Sequence, residues 1–175
     1  MKRGVKFWVG ALLTLTLVGC AETKPIVYEF KGWETGKIIN LQYADRVVVV
    51  EDYNFDYNTE GGNLFTKRTF LFKGNAAECL VAKLRGTIPG YAVIREEDLK
   101  NVKNPTQIVR VKPVDISFKY PPDLIFHVSM KVEVYKDGKT ITISAKEKHP
   151  WHRIALDKVC EKIADEINKV FEKNY

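Results

Sequence analysis

Phe126-His127-Val128-Ser129-Met130-Lys131-Val132-Glu133-Val134 is the stretch on which the fold turns. Its apolar and polar side chains alternate without a break, the period of a strand with one face in a core and the other in water. Lys136-Asp137-Gly138 then reverses the chain into Thr140 to Ala145, because Asp-Gly fits the left-handed turn that joins two antiparallel strands. Downstream, Ile154, Leu156, Val159, Cys160, Ile163, Ile167, Val170 and Phe171 recur at helical spacing among Lys and Glu over about 22 residues, which predicts one long amphipathic helix lying across a sheet. Upstream, the apolar phase of 109 and 111 slips by one residue across Lys112-Pro113 before resuming at 114, 116, 118 and 120, which predicts a strand with a bulge at the proline.

Further toward the N-terminus, Tyr91 to Ile94 reads as a strand and Ala76 to Arg85 as a short helix, opened by Gly74-Asn75 and closed by Gly86. Val47 to Val50 is a continuous β-branched run, better suited to a central strand covered on both faces than to an edge. Tyr53, Phe55 and Tyr57 alternate with Asn54, Asp56 and Asn58, and after Glu60-Gly61-Gly62-Asn63 the segment Phe65 to Phe72 returns, a hairpin with aromatic arms. Ile26 to Phe30 suits a short edge strand. The expected fold is therefore α+β: one mostly antiparallel sheet with two helices on one face, the C-terminal one long and amphipathic.

The 175-residue chain is 45% hydrophobic and 29% charged, the balance of an ordinary globular domain, and no repeat or low-complexity linker divides it. Its formal surplus of +6 includes Lys2, Arg3 and Lys6; without residues 1–19, which hold no acid, it drops to +3. Phosphate neutralisation along nucleic acid needs many converging cations, so no nucleic-acid partner is expected.

Residues 1–20 run from Lys2-Arg3 through an apolar stretch, Phe7 to Val18, into Gly19-Cys20. Those 12 apolar residues fall short of the about 20 that a membrane-crossing helix needs, so the segment reads as an export signal. Leu17-Val18-Gly19-Cys20 resembles the bacterial lipobox. That resemblance implies cleavage before Cys20 and acylation of Cys20, which becomes the first mature residue; two or three acyl chains anchor stably where one does not. Ala21, rather than Asp, follows the lipidated cysteine, which in such lipoproteins implies the outer membrane, with the domain facing the periplasm. The expected organisation is a signal at 1–19, a lipidated tether at 20–25, and a single domain at 26–175. Fully extended, Ala21 to Pro25 reaches about 17 Å at ~3.5 Å per residue, so the domain should sit close to the lipid.

Cys79 and Cys160 remain, an even number in a compartment where disulfides persist. A bridge between the two predicted helices and a pair of buried thiols are both open readings. No nucleophile elbow, phosphate-cradling glycine loop or HExxH occurs in the chain, so neither an enzyme nor a cofactor is expected. Glu96-Glu97-Asp98 reads as a solvated turn. His149-Pro150-Trp151-His152 holds two imidazoles around a helix start without a cysteine or carboxylate at ligand spacing, so no metal site is expected.

Two surfaces invite a partner. Tyr53, Phe55, Tyr57, Phe65, Phe70 and Phe72 place six rings in 20 residues, more than one core layer obviously needs, and mark a possible protein-docking hairpin. Lys119, His127, Lys131 and Lys146 share the polar sheet face, where the lysines are possible contacts for lipid phosphates. A lipobox, a valine-rich strand, a short helix, an alternating hairpin and a long C-terminal helix together resemble, by order of elements over roughly residues 45–173, the small envelope lipoproteins with a domain like the N-terminal domain of TolB. The resemblance implies a non-enzymatic, lipid-anchored accessory protein that docks on an envelope partner, or alternatively one that binds lipopolysaccharide or phospholipid directly, as among transport-auxiliary and lipopolysaccharide-assembly lipoproteins.

Overall fold

A computed structural model describes residues 24–33, 41–63, 66–120 and 125–172. The signal segment 1–19 and the candidate lipidation site Cys20 lie outside these described residues, as does Phe65. Eight strands occur in the order β1 (Ile26–Phe30), β2 (Arg46–Val50), β3 (Asn54–Asn63), β4 (Thr66–Asn75), β5 (Ala92–Arg95), β6 (Gln107–Lys119), β7 (Phe126–Lys136) and β8 (Lys139–His149). The helices are α1 (Ala76–Leu84), between β4 and β5, and α2 (His152–Glu172) at the end.

The strands form two sheets, not one: a three-stranded sheet in the order β1-β4-β3 and a five-stranded sheet in the order β5-β2-β6-β7-β8. Both are mixed, because β1–β4, β2–β5 and β2–β6 pair in parallel while the hairpins pair antiparallel. The expectation of a single, mostly antiparallel sheet is thereby corrected, and so is its placement of the helices. They share the inner face of the larger sheet with the smaller one: α2 packs on β7 and β8, α1 on α2, β5 and β2, and β3 meets β6. The physical reason lies in β2. Its valines are all buried, Val48 and Val50 in the main core, Val47 and Val49 in a small cluster on the other face with Leu41, Leu99 and Val102. A strand without a polar side suits parallel neighbours on both edges.

The chain's local chemistry is consistent with these elements. The register between β6 and β7 shifts between Pro113 and Asp115, where the proline cannot donate to the ladder. Asp137 and Gly138 turn β7 into β8 with φ of 51° and 72°. Asn75 caps α1: its side-chain oxygen accepts from the backbone N–H of Ala77 at 2.9 Å and of Tyr53 at 3.2 Å, while its amide donates to Asp52. Gly74 admits the close approach of β1, since a Cβ there would lie 2.8 Å from that of Phe30 and 2.9 Å from Phe55 Cζ.

Cys79 of α1 and Cys160 of α2 are joined in a disulfide, with Cα atoms 6.1 Å apart and a sequence separation of 81. Both are fully buried. Closing a loop of that length stabilises by about 4.5 kcal/mol in the chain-entropy model. Urea denaturation should show the Cys79→Ala/Cys160→Ala protein less stable than the oxidised parent by an amount of that order; equal midpoints, or two reactive thiols in the unreduced denatured parent, contradict the bridge.

Candidate functional site

The aromatic hairpin, β3–β4, turns its rings inward. Phe55 and Phe70 are buried, Phe72 completely so, while Tyr53 and Tyr57 are half-buried and pack against the same core. From the larger sheet, Phe118 and Phe126 meet them: Phe72 stacks on Phe118 with centroids 4.5 Å apart and planes 7° off parallel, and Phe70 and Phe72 stand edge-on to Phe126 at 6.4 and 6.0 Å. Of the rings offered as a docking surface, Phe55, Phe70 and Phe72 are therefore core instead. An alternating aromatic strand has the same pattern whether it faces a partner or a second sheet of its own chain.

One imidazole enters that core. His152, in the first turn of α2, lies over Tyr28 with centroids 3.9 Å apart and reaches Phe30 at 5.4 Å and Phe126 at 5.5 Å. Burial, and secondarily the Arg153 charge, push its pKa below the usual 6.5. The fold thus favours the neutral ring; this part of the stability is complete above about pH 6.5 and is lost as the pH falls through the depressed value. In urea titrations at pH 7.5 and 5, His152→Phe should lose less stability on acidification than the parent, and identical losses in the two proteins contradict this placement.

The polar face expected from the alternation is formed by the outward side chains of β6, β7 and β8, and cross-strand pairing orders them in rows. Lys119 is opposite His127, which is opposite Lys148; Ser117 is opposite Ser129, then Lys146; Asp115 is opposite Lys131, then Ser144. Lys119, Lys131, Lys146 and Lys148 are exposed and carry no ion pair among the described residues. Ser117 and Ser129 share a hydrogen bond of 2.8 Å between their hydroxyls. Toward the far rows Tyr135 donates its hydroxyl to Glu133, and this carboxylate acceptor holds the Tyr135 pKa above the usual range. His127 Nε2 is buried with no hydrogen-bond partner among the described residues.

The same end of the sheet receives β1. Ile26 pairs with Phe70, the Phe70 ring meets Tyr120 at 4.8 Å, and Tyr120 follows Lys119 and meets Phe126 at 4.5 Å. Trp151 is exposed beside it, its backbone N–H donating to Nδ1 of His149, the residue paired with Phe126. Lys148 joins the lysines singled out from sequence because it shares their strand phase on β8. Neither His149 nor His152 belongs to a cluster of potential metal ligands among the described residues.

No family model and no curated protein matches the chain. Solved structures similar to it include two of low sequence identity. One, described as an uncharacterized protein, has 12% identity and a TM-score of 0.44 over 87% of this chain and all of the other. The second, from Xanthomonas campestris and of the family designated DUF330, has 9% identity and a TM-score of 0.34 over 83% of this chain and 92% of the other. These are likenesses of chain path, too distant to carry a role across.

Proposed function

We propose that this protein is a non-enzymatic, lipid-anchored accessory component of the bacterial envelope, tethered through Cys20 at the outer membrane with its domain in the periplasm, and that it docks on an envelope protein across the open face of β6–β8. The observation that supports this most is convergence at one end. The strand that follows the tether enters beside Tyr120 and Phe126, where the rows Lys119–His127–Lys148 and Ser129–Lys146 begin. A tether of about 17 Å keeps that end near the lipid surface, and the uncovered face rises from it toward the periplasm. Exposed lysines without an ion pair among the described residues, interleaved with serines, favour an acidic, hydrogen-bonding partner surface, for which charge complementarity speeds and orients encounter.

A second reading has its own support. Lys119 and Lys148 flank His127, whose Nε2 is buried and without a partner among the described residues, and such a row suits a lipid phosphate.

Three variants separate these readings. Cys20→Ala should move the protein to the soluble periplasmic fraction, and its retention in the membrane after signal removal contradicts the anchor. Lys131→Glu/Lys146→Glu should abolish the crosslink that a photoreactive residue at position 144 makes to its envelope partner, with stability within about 0.5 kcal/mol per site; an unchanged crosslink contradicts the docking face. If instead the soluble Cys20→Ala protein sediments with phosphatidylglycerol vesicles and Lys119→Glu/Lys148→Glu abolishes this, the headgroup reading replaces it.

A further inference from the structure

At the opposite end of the five-stranded sheet is a cavity of about 440 Å³, within the roughly 300–1,000 Å³ of small-molecule sites. It is walled by the starts of β2 and β6, the β7–β8 turn, the segment after α1 and the last turn of α2. β6 runs 13 residues from Gln107 at this cavity to Lys119 at the tether end, so the two ends lie about 40 Å apart at ~3.3 Å per residue.

Two cations line the cavity, each over an aromatic ring. The Arg46 guanidinium lies 4.8 Å from the centroid of Tyr91, and the Lys136 ammonium 4.7 Å from that of Phe171; the two rings meet edge to face at 4.9 Å. Neither cation has an ion pair among the described residues. Lys136 is only 8% exposed. A ring face is a weaker partner for an ammonium than a carboxylate is, so the cavity presents a cation that an entering carboxylate can pair.

The surroundings are held in place for this. Gly90, at φ 75°, gives Arg46 its room, since a Cβ there would lie 2.5 Å from Nη2. Tyr91 donates its hydroxyl to Gln107, whose amide donates in turn to Asp137 at 3.1 Å. Asp137, Glu172 and the carbonyl end of α2 also border the cavity and bring negative charge. They oppose a dianion such as phosphate more than a single carboxylate. Ile88 and Pro89 add apolar wall beside the rings.

We infer that this cavity binds a small organic monocarboxylate, its carboxylate on Lys136 and its apolar body against Ile88 and the Tyr91–Phe171 pair. Such a site depends neither on the anchor nor on the docking face. Fluorine NMR of 4-fluorobenzoate with the full-length protein tests it. Saturable binding is expected, at least about tenfold weaker in Lys136→Met, the loss of one charge-assisted contact, and unchanged in Lys100→Met on the surface. Inorganic phosphate, charge without a body, should not displace the probe; 4-fluorobenzyl alcohol, body without charge, should bind at least about tenfold more weakly. Should Lys136→Met fail to fold, Lys136→Gln must weaken binding and Lys136→Arg must keep it. No saturable binding at millimolar probe, equal affinity in the folded Lys136→Met protein, or displacement by phosphate as by benzoate overturns the inference, the last showing an adventitious ion only.

Discussion

The stack of Phe72 on Phe118, 4.5 Å between centroids, is the contact on which the rest of the architecture depends. A three-stranded sheet has little core of its own, and β1, β3 and β4 gain stability by laying their rings on the upper half of β6 and β7. Phe30 and Phe55 each reach Phe118 at 5.4 Å, and Tyr57 at 6.1 Å, so one side chain of the larger sheet gathers rings from all three strands. Consequences propagate along the chain. β4 passes without a loop into α1 through the Asn75 cap, so docking the small sheet also aims the helix that carries Cys79, and the disulfide then fixes α2 beside it. His152 closes the arrangement by bringing the start of α2 onto the same rings.

Much of this was legible in residue patterns, and the limits are instructive. Alternation from Phe126 to Val134 reads correctly as a strand with one buried face, and the slip near Pro113 reads as a bulge, because both depend on backbone chemistry within a few residues. Alternation reports which side of a strand is apolar; it does not report what covers that side. The rings of 53–72 therefore suggested a partner where the protein supplies its own second sheet. The valine run at 47–50 implied cover on both faces, yet not that its two neighbours would be parallel, since register and direction are set by connections far away in sequence.

The two candidate surfaces differ in the same way. The lysine face follows from period two on β6–β8, and Lys148 is recoverable by the same phase. The cavity is assembled from the starts of β2 and β6, the end of β7, the segment after α1 and the end of α2, and no local window contains it. One signal was present: Lys136 continues the apolar phase of Val132 and Val134, where a charged side chain is out of place. The basic rows beside β1 and the cavity lie at opposite ends of the larger sheet, about 40 Å apart at ~3.3 Å per strand residue along the 13 residues of β6.

Because the aromatic contact between the sheets is the keystone of this account, a double-mutant cycle on Phe72 and Phe118 tests it most directly. Phe72→Leu, Phe118→Leu and the double variant retain apolar volume and should all fold, so urea denaturation can isolate the ring-to-ring contribution. A stacked pair predicts a favourable coupling of about 0.5–1.5 kcal/mol beyond what each substitution removes alone. Strict additivity of the two losses, within about 0.3 kcal/mol, would contradict the stacking that joins the two sheets.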